Sequence, residues 1–404
     1  MISRVWAGLI LLSCAGVVFN LLNDNGALAS AWVEALFSMS ELSVDIAFGL
    51  IGALCFWMGM FQIAQDSGIV TWLGRRLEPL LCRLMPEVPK GHPALGAMTM
   101  NIAANVLGLD NAATPMGLKA MTALQELNPI KNTLSDAQLL FVVLNTTSVT
   151  LLPVTILMYR VELGAQEPAD VLLPIILATS CSTLVGVGLA AWYQKLSLWS
   201  GSFILGIILY LVGLVGLSIF VQSQGSKFLS QLGNVVLIGT VGWILSAGLW
   251  QKVAVYEAFI AGAKRGFAVA IKIIPYLVAM LVAIGVLRAS GVFEVILSAI
   301  TWLLVVVNGP TEIVGALPTA FMKPFSGSGA RALMLETMQH YGVDSLQGRI
   351  AAIMQGSTET TFYVLSVYLG VVGISRSRYL ISTCLLADVA GCIAAIIFGI
   401  LFFG

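Results

Sequence analysis

Runs of apolar residues as long as a lipid bilayer is thick fix what this chain can become. A helix rising about 1.5 Å per residue needs roughly 20 apolar residues to cross the hydrocarbon core. About nine segments meet that length: 5–22, 46–65, 136–159, 171–194, 203–222, 229–250, 268–288, 348–372 and 379–403. Lipid offers backbone N–H and C=O groups no partner, so such segments must be helical. Only 10% of the residues are charged, against roughly 25% in a soluble domain. The expected fold is therefore an all-α polytopic membrane protein with about nine crossings.

Net charge is zero, so nothing points to nucleic acid. The six cysteines, Cys14, Cys55, Cys82, Cys181, Cys384 and Cys392, sit singly in or beside apolar stretches. Without CxxC spacing they offer neither a metal site nor a disulfide framework, and no cofactor is expected. Arg4 followed by 5–22 imitates a signal peptide, and "GALAS" at 26–30 comes close to a cleavage motif. The second half begins with a similar segment, so the stretch is read as a retained first helix.

Two stretches, 92–130 and 311–341, are only half apolar and rich in Gly, Pro and polar residues. Each reads as a re-entrant helical hairpin. They belong to an internal repeat. "SGIVTWL" at 67–73 answers "SGVFEVIL" at 290–297, and the hairpin wording at 94–121 answers that at 313–338. "LNTTSVTLLPVTILMYRVELG" at 144–164 answers "MQGSTETTFYVLSVYLGVVG" at 354–373. The division expected is a first repeat over 1–200, a linker helix within 201–227, and a second repeat over 228–404.

Basic residues orient the chain. Arg75, Arg76, Arg83 and Lys90 follow the second span, whereas the loop after the first carries Asp24, Glu34, Glu41 and Asp45. The N-terminus is expected in the cytoplasm and the C-terminus outside, in a bacterial inner membrane. The extra helix at 203–222 puts an odd number of crossings between corresponding spans, so the repeats are expected to be inverted. The stretches around 28–45 and 254–267 are amphipathic and are expected to lie in the interface.

Polar groups at membrane depth fall into four clusters. Asn101 and Asn105, four residues apart, share a helix face. "GLDNAATP" at 108–115 follows, bringing Asp110 and Asn111; its counterpart is "KPFSGSGAR" at 323–331, with Lys323, Ser326, Ser328 and Arg331. Asn145 and Thr147 interrupt one long apolar span. "QGSTETT" at 355–361 interrupts the other, bringing Gln355, Ser357, Thr358 and Glu359. Such breaks cannot face hydrocarbon and must face protein or water. Any one of these residues alone reads equally well as interhelical glue. Four matched clusters favour a central site, in which the asparagines, serines, Thr147, Gln355 and Thr358 bind solute by hydrogen bonds and Lys323 and Arg331 attract an anionic group. Asp110 and Glu359 are the candidates to carry a coupling Na⁺ or H⁺. Lys119, Glu336 and Asp388 are weaker candidates.

Through "MNIAANVLGLDNAATPMGLKAM" the first half resembles the spore maturation protein A family. Through "YEAFIAGAKRGF", "LPTAFMKPFSGSGARALM" and "MQGSTETTFYVLSVYLGVVGIS" the second resembles the spore maturation protein B family. Both are members of the nucleoside-recognition, or Gate, superfamily, whose other members handle nucleosides, ferrous iron and an aromatic dicarboxylate. The resemblance implies a transport fold and leaves the substrate open.

The expected function is secondary transport of a small polar or anionic organic solute, nucleoside-like or carboxylate. No ATP-binding motif is present, so an ion gradient or a partner would supply the energy. The alternative is a membrane scaffold or regulator of the envelope or of spore maturation, in which the polar clusters are glue. With only His92 and His340 and no catalytic spacing, an enzyme is not expected. The partners called for are the bilayer and the solute; a homo-oligomer is left open.

Overall fold

The computed structural model describes residues 2–22, 27–108, 110–147, 149–195, 209–210, 212–213, 216–221, 223, 226–306, 309–374 and 376–404. The linker helix expected at 203–222 lies largely outside them. The described residues form helices and no strand. In chain order they are α1 (Ile2–Leu22), α2 (Ala27–Asp66), α3 (Ile69–Leu84), α4 (Pro93–Val106) and α5 (Asp110–Leu127). There follow α6 (Asp136–Thr146), α7 (Val154–Glu162), a 3₁₀ turn (Pro168–Val171) and α8 (Leu172–Tyr193). The second half brings α9 (Ser226–Trp250), α10 (Val255–Ala289), α11 (Val292–Val306), a 3₁₀ turn (Thr311–Ala316) and α12 (Leu317–Met322). It closes with α13 (Gly327–Tyr341), α14 (Leu346–Ser357), α15 (Thr361–Val372) and α16 (Leu380–Phe403).

Five stretches among the described residues are long and apolar enough to cross a bilayer: Ala27–Asp66, Pro168–Tyr193, Phe228–Trp250, Val255–Ala289 and Leu380–Phe403. Their outer sides carry exposed apolar residues such as Trp250, 86% exposed, and Ile238, 72% exposed, as lipid contact requires. The segments 136–159 and 348–372 are each divided into two shorter helices, α6/α7 and α14/α15. Serine caps open both divided segments at matching places. Ser135 accepts from the Gln138 N–H, and Ser345 from the Gly348 N–H.

The amphipathic stretches at 28–45 and 254–267 do not form separate interfacial helices. They are the first turns of the 40-residue α2 and the 35-residue α10. These two helices pack on each other, and glycine is the reason. A Cβ on Gly262 would strike the Met58 carbonyl oxygen, and one on Gly266 would fall 2.5 Å from that of Leu54. Glycines four apart let the backbones touch, as in small-residue membrane packing. Gly285 meets Met39 at the far end, so α2 and α10 run antiparallel. The pair α8 and α16 is antiparallel as well: Gly186 lies against Ala387, and Gly391 against Ser182.

Candidate functional site

Each hairpin tip docks on the helix break of its own half. In the first, α4 and α5 are joined through Gly108, whose φ of 72° is left-handed. Its missing side chain also lets the tip close on the break between α6 and α7, since a Cβ there would lie 2.6 Å from the Leu152 carbonyl oxygen. The Leu151 N–H donates to the Val106 carbonyl, 2.9 Å. In the second, Ser326 caps α13 by accepting from the Gly329 N–H at 3.0 Å. A Cβ on Gly327 would lie 2.5 Å from the Thr360 hydroxyl. The Phe362 N–H donates to the Pro324 carbonyl, 2.9 Å. The two breaks then meet each other, because the Glu359 N–H donates to the Thr146 carbonyl at 2.8 Å.

This interlock brings most of the sequence-derived residues together. Asn105 Nδ2 donates to Asn145 Oδ1 at 3.0 Å. Both asparagines line a cavity of about 990 Å³ with Ser326, Ser328, Arg331 and Glu359. A smaller cavity of about 90 Å³ is lined by Lys323, Gln355 and Thr358, and again by Arg331 and Glu359. Arg331 and Glu359 therefore stand between the two. Lys323, 4% exposed, donates from Nζ to the Gln355 carbonyl at 2.6 Å.

Three expected binding residues are turned to internal bonds instead. Asn101 is buried and donates to the Ala113 carbonyl at 2.8 Å and to the Tyr368 hydroxyl at 3.2 Å. The Thr147 hydroxyl bonds back to Val143, and its carbonyl accepts from Thr179 and Thr183. The Ser357 hydroxyl bonds Met354 within its own helix. Asp110 and Asn111 are among the residues whose side chains are not described. Of the weaker candidates, Lys119 is exposed and Glu336 pairs with Arg288. Asp388 is buried, and its Oδ2 accepts from the Thr361 hydroxyl at 2.7 Å.

The sequence reading passed over the aromatic residues of α15. Tyr368 donates its hydroxyl to Asn145 Oδ1 at 3.0 Å and so ties together the amides of both elements in the first half. Phe362 stacks on Phe325, ring centroids 5.3 Å apart, on the wall of the larger cavity. The signal was spacing: Tyr368 stands seven residues after Thr361, two turns along the same face.

Hairpins docked on broken helices, set among long apolar spans, define a multi-pass membrane protein with a polar interior. The chain belongs to the nucleoside-recognition (Gate) family, whose model matches residues 47–166 and 270–375. Each stretch runs from within a long helix, α2 or α10, through a hairpin to the end of a divided helix. The chain is 36% identical to spore maturation protein A of Bacillus subtilis (strain 168) over 188 residues, which is 46% of this chain and 91% of that protein. It is 43% identical to spore maturation protein B of the same strain over 164 residues, 41% of this chain and 90% of that protein. Both relatives are thus represented in one polypeptide, as in a fusion. No solved structure matches the chain at a significant level.

Proposed function

We propose that the chain is a secondary carrier that moves a small polar or anionic organic solute, nucleoside-like or carboxylate, across a bacterial inner membrane. One observation carries this reading: both hairpin tips and both helix breaks converge, and cations and a carboxylate line the cavities beside them. Arg331 and Lys323 would hold an anionic group, Asn105, Asn145, Ser326, Ser328, Gln355 and Thr358 would bond the rest of the solute, and Glu359 would serve a coupling H⁺ or Na⁺. Asp110 and Asn111 keep the roles the sequence assigns them. Asn101, Thr147 and Ser357 would hold the breaks in shape rather than touch solute. The reading is of a carrier, not an enzyme, with the bilayer and the solute as its partners.

The halves, 1–200 and 228–404, would be inverted repeats joined by a helix within 201–227. The antiparallel course of α2 against α10, and of α8 against α16, supports this, because each pair joins corresponding helices. The test is a thermal-shift series on purified protein with nucleosides, aromatic dicarboxylates and amino acids. One class should raise the melting temperature of the native chain and fail to do so in Lys323→Ala and Glu359→Gln. Stabilisation by no class, or equal stabilisation of the variants, would overturn the proposed site and leave the polar clusters as glue.

A further inference from the structure

Among the described residues, Asp388 is a buried carboxylate that the hydrogen-bond pattern leaves half satisfied. It sits in the apolar α16 with 2% of its surface exposed. Oδ2 accepts from Thr361, while Oδ1 has no hydrogen-bond partner. Beside it stands Thr358, whose buried hydroxyl has no group other than this carboxylate to bond. Thr358 lines the small cavity with Lys323 and Glu359, so its hydroxyl connects that cavity to the Asp388 carboxylate. The Lys323 ammonium, which has three N–H donors, lies in the fields of Asp388, Glu359 and Arg331. On its own helix Asp388 is flanked by Cys384 and Cys392, one turn to either side. Thr358 and Thr361 face it from the neighbouring break, and Lys323 faces it from the hairpin tip.

These groups make a charge cluster that one proton can tip. Two cations, Lys323 and Arg331, face two carboxylates, Glu359 and Asp388, so the fully ionised cluster is neutral. A buried net charge is costly, and a cluster charged by one proton lowers that cost by accepting an ion of opposite sign. We propose that Asp388, in place of Glu359, is the proton-binding group of the carrier, Glu359 staying a fixed carboxylate, and that protonation of Asp388 frees Lys323 to receive an anionic group of the solute. The proton passes from cavity water by way of the Thr358 hydroxyl to Oδ1, and Lys323 stays an ammonium throughout. This rests on the carrier reading, but its first test needs no solute.

Infrared difference spectra are recorded across a pH titration on the full chain in lipid nanodiscs. The native protein should show the C=O stretch of a protonated carboxyl group that gives way to carboxylate bands as the pH rises. The band should vanish in Asp388→Asn and persist in Glu359→Gln. Thr361→Val, nearly isosteric, removes the 2.7 Å hydrogen bond to Oδ2 and should raise the midpoint by about one pH unit. Lys323→Met should raise it too. A band that survives Asp388→Asn, or a midpoint unmoved by Thr361→Val, overturns the proposal. Because the band is read without solute, a protein that carries nothing would still pass or fail it.

Discussion

Asn145 makes three bonds within the protein and keeps one N–H to spare: Oδ1 accepts from Asn105 and Tyr368, and Nδ2 donates to the Phe141 carbonyl. Tyr368→Phe leaves buried partners short of one donor, which should cost about 1–3 kcal/mol. Gly117→Ala should act through the same phenol, because its Cβ would collide with the Tyr368 hydroxyl. The two changes share one interaction, so the double variant should lose less stability than the two single losses added together. Thermal unfolding in detergent measures all three, and strict additivity would argue that the phenol is not the shared element. The asparagines themselves were legible, since a spacing of four places Asn101 and Asn105 on one helix face. Their roles were not. Tyr368 lies 267 residues from Asn101, and no local pattern reports which member of a cluster meets protein and which meets a cavity.

Two arginines at the ends of the divided segments each fasten one half to the other. Arg160, at the end of α7, is fully buried and reaches the Val343 carbonyl, Asp344 and Asp170. Arg378, after α15, reaches the Leu134 carbonyl and Asp136 with its side chain 34% exposed. The partners correspond: each arginine holds the start of the other half's divided segment. Their energetic weight differs with burial. Arg160→Ala strands Asp170 and Asp344 beside Arg349 and should cost about 3–5 kcal/mol, whereas Arg378→Ala should cost less than about 1 kcal/mol. Chemical unfolding of the two variants side by side checks the ranking, and equal losses would contradict it. The divided helices were legible because runs such as "QGSTETT" cannot sit in lipid. The stretch at 254–267 was misread because Lys264 and Arg265 stand between Gly262 and Gly266. The charges suggest a membrane surface, while the glycine spacing marks a helix contact whose partner, around Leu54 to Met58, is some 200 residues away.

At the scale of the whole molecule, the contacts constrain which loops share a side of the bilayer. The Arg160 fastening joins the loop at 162–170 to the loop at 342–345, and Gln166 N–H also donates to Asp344. The Arg378 fastening joins 376–378 to the loop at 128–136, where Thr133 bridges to Arg376. These groups lie at opposite ends of the segment α6–α7, so if that segment crosses the bilayer the fastenings lie on opposite faces. On the orientation proposed from the basic residues, 75–90 and 376–378 would lie in the cytoplasm and 162–170 outside. The fastenings would then put 342–345 outside and 128–136 inside, the arrangement inverted repeats require. In a background lacking the six native cysteines, Lys131→Cys should react with a membrane-impermeant maleimide only after the cells are opened. Gln166→Cys should react in intact spheroplasts, since both positions are exposed. Reaction of both from the same side would mean that α6 and α7 together do not cross. The fastenings would then share a face, and the inverted arrangement would fail while the packing of α2 on α10 stood unchanged.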